Sequence, residues 1–226
     1  MTMNMFEQFM SPELLMIPTA LLSMLIPTLL IHHSPKLLGS RMTTAIVWLL
    51  TTIMSNMTNQ LTPNGQKWCQ VLTSLLLMIL LSNLLGLLPY TFTPTSQLSM
   101  NMAMAIPLWM ATIITGMTKK PSITLAHMLP EGSPTPLVPF MIIIETISLF
   151  MRPLALGVRL TANITAGHLL MTMVSTTTLN FITSHITLSI MTYLLLFLLC
   201  ILELAVACIQ AYVFVLLIIL YLQENT

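Results

Sequence analysis

Residues 141–170 read MIIIETISLFMRPLALGVRLTANITAGHLL. The run is apolar, yet Glu145, Arg152, Arg159, Asn163 and His168 interrupt it. A charge at the centre of a bilayer costs roughly 2.5–3.5 kcal/mol on insertion scales, so it is kept where a partner or a polar path receives it. The chain holds seven Lys or Arg and six Asp or Glu, and only 6% of it is charged. Three of those charges in one apolar run make it the expected functional centre, with Arg159 in the middle.

The rest of the composition agrees with a membrane setting. Of 226 residues 56% are hydrophobic, and the mean hydropathy is +0.93. A soluble domain needs more polar surface than this, so the fold class is an all-α polytopic membrane protein. The apolar runs are long and continuous, which disfavours the alternating ten-residue segments of a membrane β-barrel. A net charge of +1 points to no nucleic-acid partner. Cys69, Cys200 and Cys208 lack zinc or redox spacing and read as apolar fillers, so neither a metal nor a cofactor is expected. No phosphate-binding glycine loop appears. A haem protein of the cytochrome b kind would need axial histidine pairs, and only His168 is clearly intramembrane. An independent transporter would show paired repeats, and none is apparent.

Outward from the central run, the chain reads as one membrane domain, 1–226, with five crossings. Residues 1–31 carry the first span, apolar from 14, with Pro18 and Pro27 as possible kinks. Residues 39–61 read as an amphipathic helix on the membrane surface, with 46, 50, 53, 54 and 57 on one face. Residues 68–88 and 98–117 form a hairpin of spans, the first flanked by Trp68 and Tyr90 and closed by Pro89. Asn83 and Gly86 break its apolar face, as helix contacts do. Residues 118–136 are a loop. Residues 137–175 would run about 58 Å as a straight helix, roughly twice the hydrocarbon thickness, so that helix must tilt or bend. Residues 176–186 read as a polar turn, and 187–223 as a second over-long span. The last two helices thus form a long tilted hairpin, suited to a curved partner.

Lys36, Arg41, Lys67, Lys119 and Lys120 fall in loops on one side of such an arrangement, and the loops 89–97 and 176–186 carry no Lys or Arg. The basic side is the inner one.

The segment L-G-V-R-L-T-A-N-I-T-A-G-H resembles subunit a of the F-type ATP synthases in their animal mitochondrial form. Two further blocks carry the resemblance: Ser82-Asn83-Leu-Leu-Gly86-Leu-Leu-Pro89, and Glu203-Leu-Ala-Val-Ala-Cys-Ile-Gln210-Ala-Tyr212-Val-Phe near the end. The resemblance covers the whole chain. It implies a multi-pass protein of the mitochondrial inner membrane, with the N-terminus in the intermembrane space, the C-terminus in the matrix and the surface helix on the matrix side. It also implies a mitochondrial gene, whose extra Met codon accounts for the 21 Met. In keeping with that, Glu7 and Glu13 stand near the start and no Lys or Arg precedes Lys36, unlike a transit peptide. The implied partners are a ring of c-subunits against the last hairpin, the peripheral-stalk and small membrane subunits, the lipid bilayer and protons. The chain would be no enzyme on its own but the proton-channel subunit of the rotary complex.

Arg159 suits such a role because its guanidinium stays charged at any accessible pH. A ring carboxyl must be neutral against lipid. Beside a fixed cation at 4 Å it gains about 4 kcal/mol at an effective dielectric of 20, enough to ionise it. The cation would also block direct flow between two offset half-channels. On an ideal helix Glu145 lies about 21 Å from Arg159 toward one end and about 40° round, and His168 about 13 Å toward the other end and about 180° round. Asn163 shares the face of Arg159, and Glu203 and Gln210 share one on the last helix. The resemblance implies that Glu203 and His168 relay protons on the intermembrane-space side, that Glu145 serves the matrix side, and that Gln210 lies close to Arg159. Some bacterial relatives look to have the acid and imidazole exchanged between the two helices. Arg152, Tyr212 and Glu224 are further candidates; Arg152 reads as a secondary charge on the matrix-side path. The plainer alternatives are a satisfied core acid for Glu203, a helix-start acid for Glu145, and interhelical hydrogen bonders for Asn163 and Gln210.

Overall fold

A computed structural model of the chain describes residues 9–14, 17–30, 41–60, 65–88, 91–119, 121 and 137–225. Among the described residues six α-helices carry the fold: α1 (Thr19–Leu30), α2 (Arg41–Gln60), α3 (Cys69–Gly86), α4 (Leu98–Lys119), α5 (Val138–Ser184) and α6 (Ile186–Asn225). Short 3-10 turns at Gln66–Trp68 and Pro94–Ser96 lead into α3 and α4. Among the described residues four helices, from Gln66–Gly86 onward, are long and apolar enough to cross a membrane. The expected spans 68–88 and 98–117 correspond to α3 and α4 to within two residues. Pro89 and Tyr90, Lys36 and Lys120, the start of the expected surface helix and most of the 118–136 loop lie outside the described residues.

The start of the chain departs from expectation. Two-residue strands at Glu13–Leu14 (β1) and Ile17–Pro18 (β2) pair antiparallel, Glu13 opposite Pro18. Pro18 therefore precedes the helix instead of kinking it, which suits a residue that has no amide hydrogen to give. What remains, α1, has 12 residues. At 1.5 Å per residue these described residues span about 18 Å.

The two longest helices are the larger correction. α5 runs for 47 residues through the expected polar turn, and α6 for 40. The polarity of 176–184 is absorbed inside the helix: the hydroxyls of Thr176, Thr177, Thr178 and Thr183 donate to the carbonyls of Met173, Val174, Ser175 and Asn180 at 2.8, 2.8, 2.6 and 2.8 Å. A hydroxyl bonded three residues back leaves no polar group needing water, so a threonine-rich segment stays helical. Only His185 separates the two helices, and even there its amide donates to Phe181 at 2.8 Å. Helices of about 70 and 60 Å reach at least twice the hydrocarbon thickness.

The chain forms two compact units. The first joins Met1–Ile31, Leu77–Asn101 and Arg159–Tyr212; the second joins His32–Leu76, Met102–Val158 and Val213–Thr226. Their interiors differ in chemistry. Buried residues of the first include Ile79, Leu160, Ala207 and Ala211, together with Ser82, Asn83, Thr93, Thr95, Ser96 and Asn101. Those of the second are mainly apolar: Met57, Leu72, Leu76, Trp109, Leu156, Phe214, Ile218 and Leu222. In α2, Met57 is buried and Leu50, Ile53 and Met54 are half-buried, whereas Val47, Trp48 and Thr51 are exposed, the one-sided pattern read from the sequence. The first half of α6, by contrast, exposes Ile186, Ile190, Met191, Tyr193, Leu194, Phe197 and Leu198. A helix apolar all round is stable where lipid or another protein covers it.

Candidate functional site

In the first unit α5 and α6 meet at a glycine. A Cβ built on Gly167 would stand 2.8 Å from Oε1 of Glu203, so the helix surface there is shaped to the carboxylate. The next residue, His168, brings its Nε2 to 3.9 Å from the same oxygen. That is too long for a hydrogen bond and close enough for strong electrostatic coupling. The Glu203 side chain keeps 12% of its surface exposed and that of His168 23%. Oε1 of Glu203 is buried and, among the described residues, accepts no hydrogen bond. A groove lined by Gly167, Leu170, Met171, Leu199, Leu202 and Val206 leads to Glu203. An imidazole and a carboxylate at this separation, in apolar surroundings, can pass a proton between themselves through one small movement or one water.

A third element holds the register of α6. Asn83 of α3 is buried and donates from Nδ2 to the carbonyl of Ala207 at 3.4 Å, one turn beyond Glu203. The helix-contact reading of Asn83 is borne out, whereas Gly86 meets the connection that follows its own helix. Gly86 abuts Thr93, whose Cγ2 would lie 2.5 Å from an added Cβ. Ser96 and Asn101 close the connection between α3 and α4 through the carbonyls of Thr93 and Thr95, at 2.7 Å each.

In the second unit the charges gather round Arg152. Its Nη1 donates to Oε2 of Glu224 at 2.7 Å, and its Nη2 lies 3.7 Å from Oε1 of Glu145. The guanidinium carbon stands 5.1 Å from the centroid of the Tyr221 ring, a cation–π distance. Arg152 thus binds α5 to the end of α6, a role the sequence did not disclose, because Glu224 is 72 residues away.

Arg159, in the first unit, is exposed. Among the described residues no carboxylate forms an ion pair with it, and neither Asn163 nor Gln210 hydrogen-bonds to it. Asn163 and Gln210 are half-buried and Tyr212 is exposed. Of the site residues read from sequence, then, the fold brings together His168 with Glu203, and Glu145 with Arg152 and Glu224. Gly167 was missed; its signal was a residue without a side chain beside a titratable one in an otherwise bulky helix. Among the described residues no group of His, Cys, Asp and Glu is arranged to hold a metal.

Comparison with known proteins places these features in a family. The family described as ATP synthase A chain matches residues 14–223. The chain is 96% identical over its full length, and that of the relative, to ATP synthase F(0) complex subunit a of Lycodon semicarinatus. It is 59% identical to the protein of the same name from Struthio camelus and 54% identical to that from Scyliorhinus canicula, again over all of both chains.

Proposed function

Since this chain belongs to the ATP synthase A chain family, a membrane protein family of ATP synthesis and proton transport, we propose that it is the stator side of a rotary proton path. In this reading Arg159 faces the carboxyls of a c-subunit ring and separates two half-channels. Glu203 and His168 deliver protons from the intermembrane space, Glu145 releases them to the matrix, and Asn163 and Gln210 line the approach to Arg159. Five crossings put the N-terminus in the intermembrane space and the C-terminus in the matrix of the mitochondrial inner membrane, with α2 on the matrix surface. Peripheral-stalk and small membrane subunits cover the remaining faces, and 1–226 works as one membrane domain.

One observation carries the reading. Arg159 is an exposed, permanent cation on a helix of membrane length, and among the described residues no carboxylate pairs with it. Such a charge is tolerated in a membrane only against a counter-charge or water, and here the counter-charge comes from outside the chain. A ring carboxyl that ionises beside it, and neutralises on leaving it, turns proton entry and exit into rotation.

The test is ATP-driven proton pumping and passive proton leak by the complex in liposomes. Arg159→Gln abolishes pumping if the reading is right. A variant that still pumps would transfer the role of rotor-facing cation to another residue, Arg152 first.

A further inference from the structure

The path as described gives Arg152 no role of its own, and its surroundings assign it one. In the second unit its planar guanidinium forks between carboxylates of both long helices, 2.7 Å to Glu224 and 3.7 Å to Glu145, and it lies over Tyr221. Glu145 precedes it by two helical turns on α5, and Tyr221 and Glu224 are three apart on α6, so each helix presents its groups on one face. Five donors in a fixed plane suit a cation that must serve two carboxylates in different directions. Two carboxylates within 4 Å also outnumber its single charge locally, so it has little left to draw a third. Arg159 is in the opposite state.

We propose that Arg152 is a positioning residue, a clamp that fixes the last turns of α6 to α5 and orients Glu145 for proton passage. The proposal rests on the reading of Glu145 as the carboxylate of the second half-channel. Its substance is the pairing of Arg152 with Glu224, which sets where Glu145 sits.

The test uses the whole complex in liposomes, with pumping expressed per assembled complex. Arg152→Gln and Glu224→Gln each slow pumping several-fold, and the two together slow it no further than Arg152→Gln alone. The exchanged pair, Arg152→Glu with Glu224→Arg, regains at least half of the wild-type rate, because Arg at 224 can still span both acids. Multiplicative losses, a single variant at the wild-type rate, an exchanged pair as slow as Arg152→Gln, or an exchanged pair that yields no complex would each overturn the clamp. An Arg159→Gln arm separates the two ideas. If it pumps, the rotor-cation reading falls while rescue still decides the clamp. If it is inactive and the exchanged pair is not rescued, the clamp alone falls.

Discussion

Gly167 of α5 and Glu203 of α6 approach so closely that a Cβ on the glycine would stand 2.8 Å from the carboxylate oxygen and 3.2 Å from its carbon. The Glu203 carboxylate is therefore seated by the absence of a side chain across from it. His168 comes to within 3.9 Å of that oxygen only because the two helices can close at this point.

Gly167→Ala tests the seat directly. The added methyl displaces the end of a flexible side chain, so the protein still assembles, but the carboxylate moves away from its present position beside His168. Pumping falls several-fold at unchanged complex content, and Gly167→Val falls further. Wild-type rates in both variants would show that the close approach has no role in proton transfer.

The acid and the imidazole are separable in a second way. Glu203→Gln removes the carboxylate facing His168 and lowers ATP-driven pumping by an order of magnitude or more. Exchanging the pair, His168→Glu with Glu203→His, keeps both groups within reach and recovers part of the activity. Pumping by the exchanged pair no better than by Glu203→Gln would mean that the helix carrying each group matters, beyond their proximity.

Asn83→Leu removes the donor to the Ala207 carbonyl in a buried contact. Interhelical hydrogen bonds in membranes are worth about 0.6–2 kcal/mol, and the leucine must also fit a tight site. The variant complex dissociates at a lower temperature in detergent, by a few degrees. An unchanged dissociation temperature would show that the 3.4 Å contact contributes nothing to the register of α6.

Gly86→Ala places a methyl against Cγ2 of Thr93, at 2.5 Å before relaxation. Overpacking of this kind costs typically 1–3 kcal/mol, and the complex is correspondingly less heat-resistant. Thr93→Ser deletes that Cγ2, so the double variant Gly86→Ala with Thr93→Ser regains the stability lost. Failure of the serine to restore it would place the strain in the backbone of the turn and not in the Thr93 methyl.

Much of this was legible in one dimension. The low charge, the continuous apolar runs and their lengths determined a helical membrane protein, because lipid offers backbone groups no partners and leaves the helix as the simplest satisfied form. Arg159, Glu203, His168 and Glu145 stood out because charge in lipid is costly and so is kept for a use. The motifs around Arg159 and Glu203 were enough to point to the family. Local polarity misled at 176–184, where threonine hydroxyls satisfy themselves within the helix, and at the start of the chain, where Pro18 sits in a strand.

What the tertiary structure decided is which charges meet. His168 and Glu203 lie on different helices, as do Arg152 and Glu224, and nothing in their spacing predicts a pairing. Contacts between two helices depend on where the chain reverses and on how closely the helices approach. The reversal at His185 and the side-chain gap at Gly167 set those two quantities. Arg152 is clamped between two acids and Arg159 is exposed, a difference between two arginines seven residues apart that only the folded chain displays.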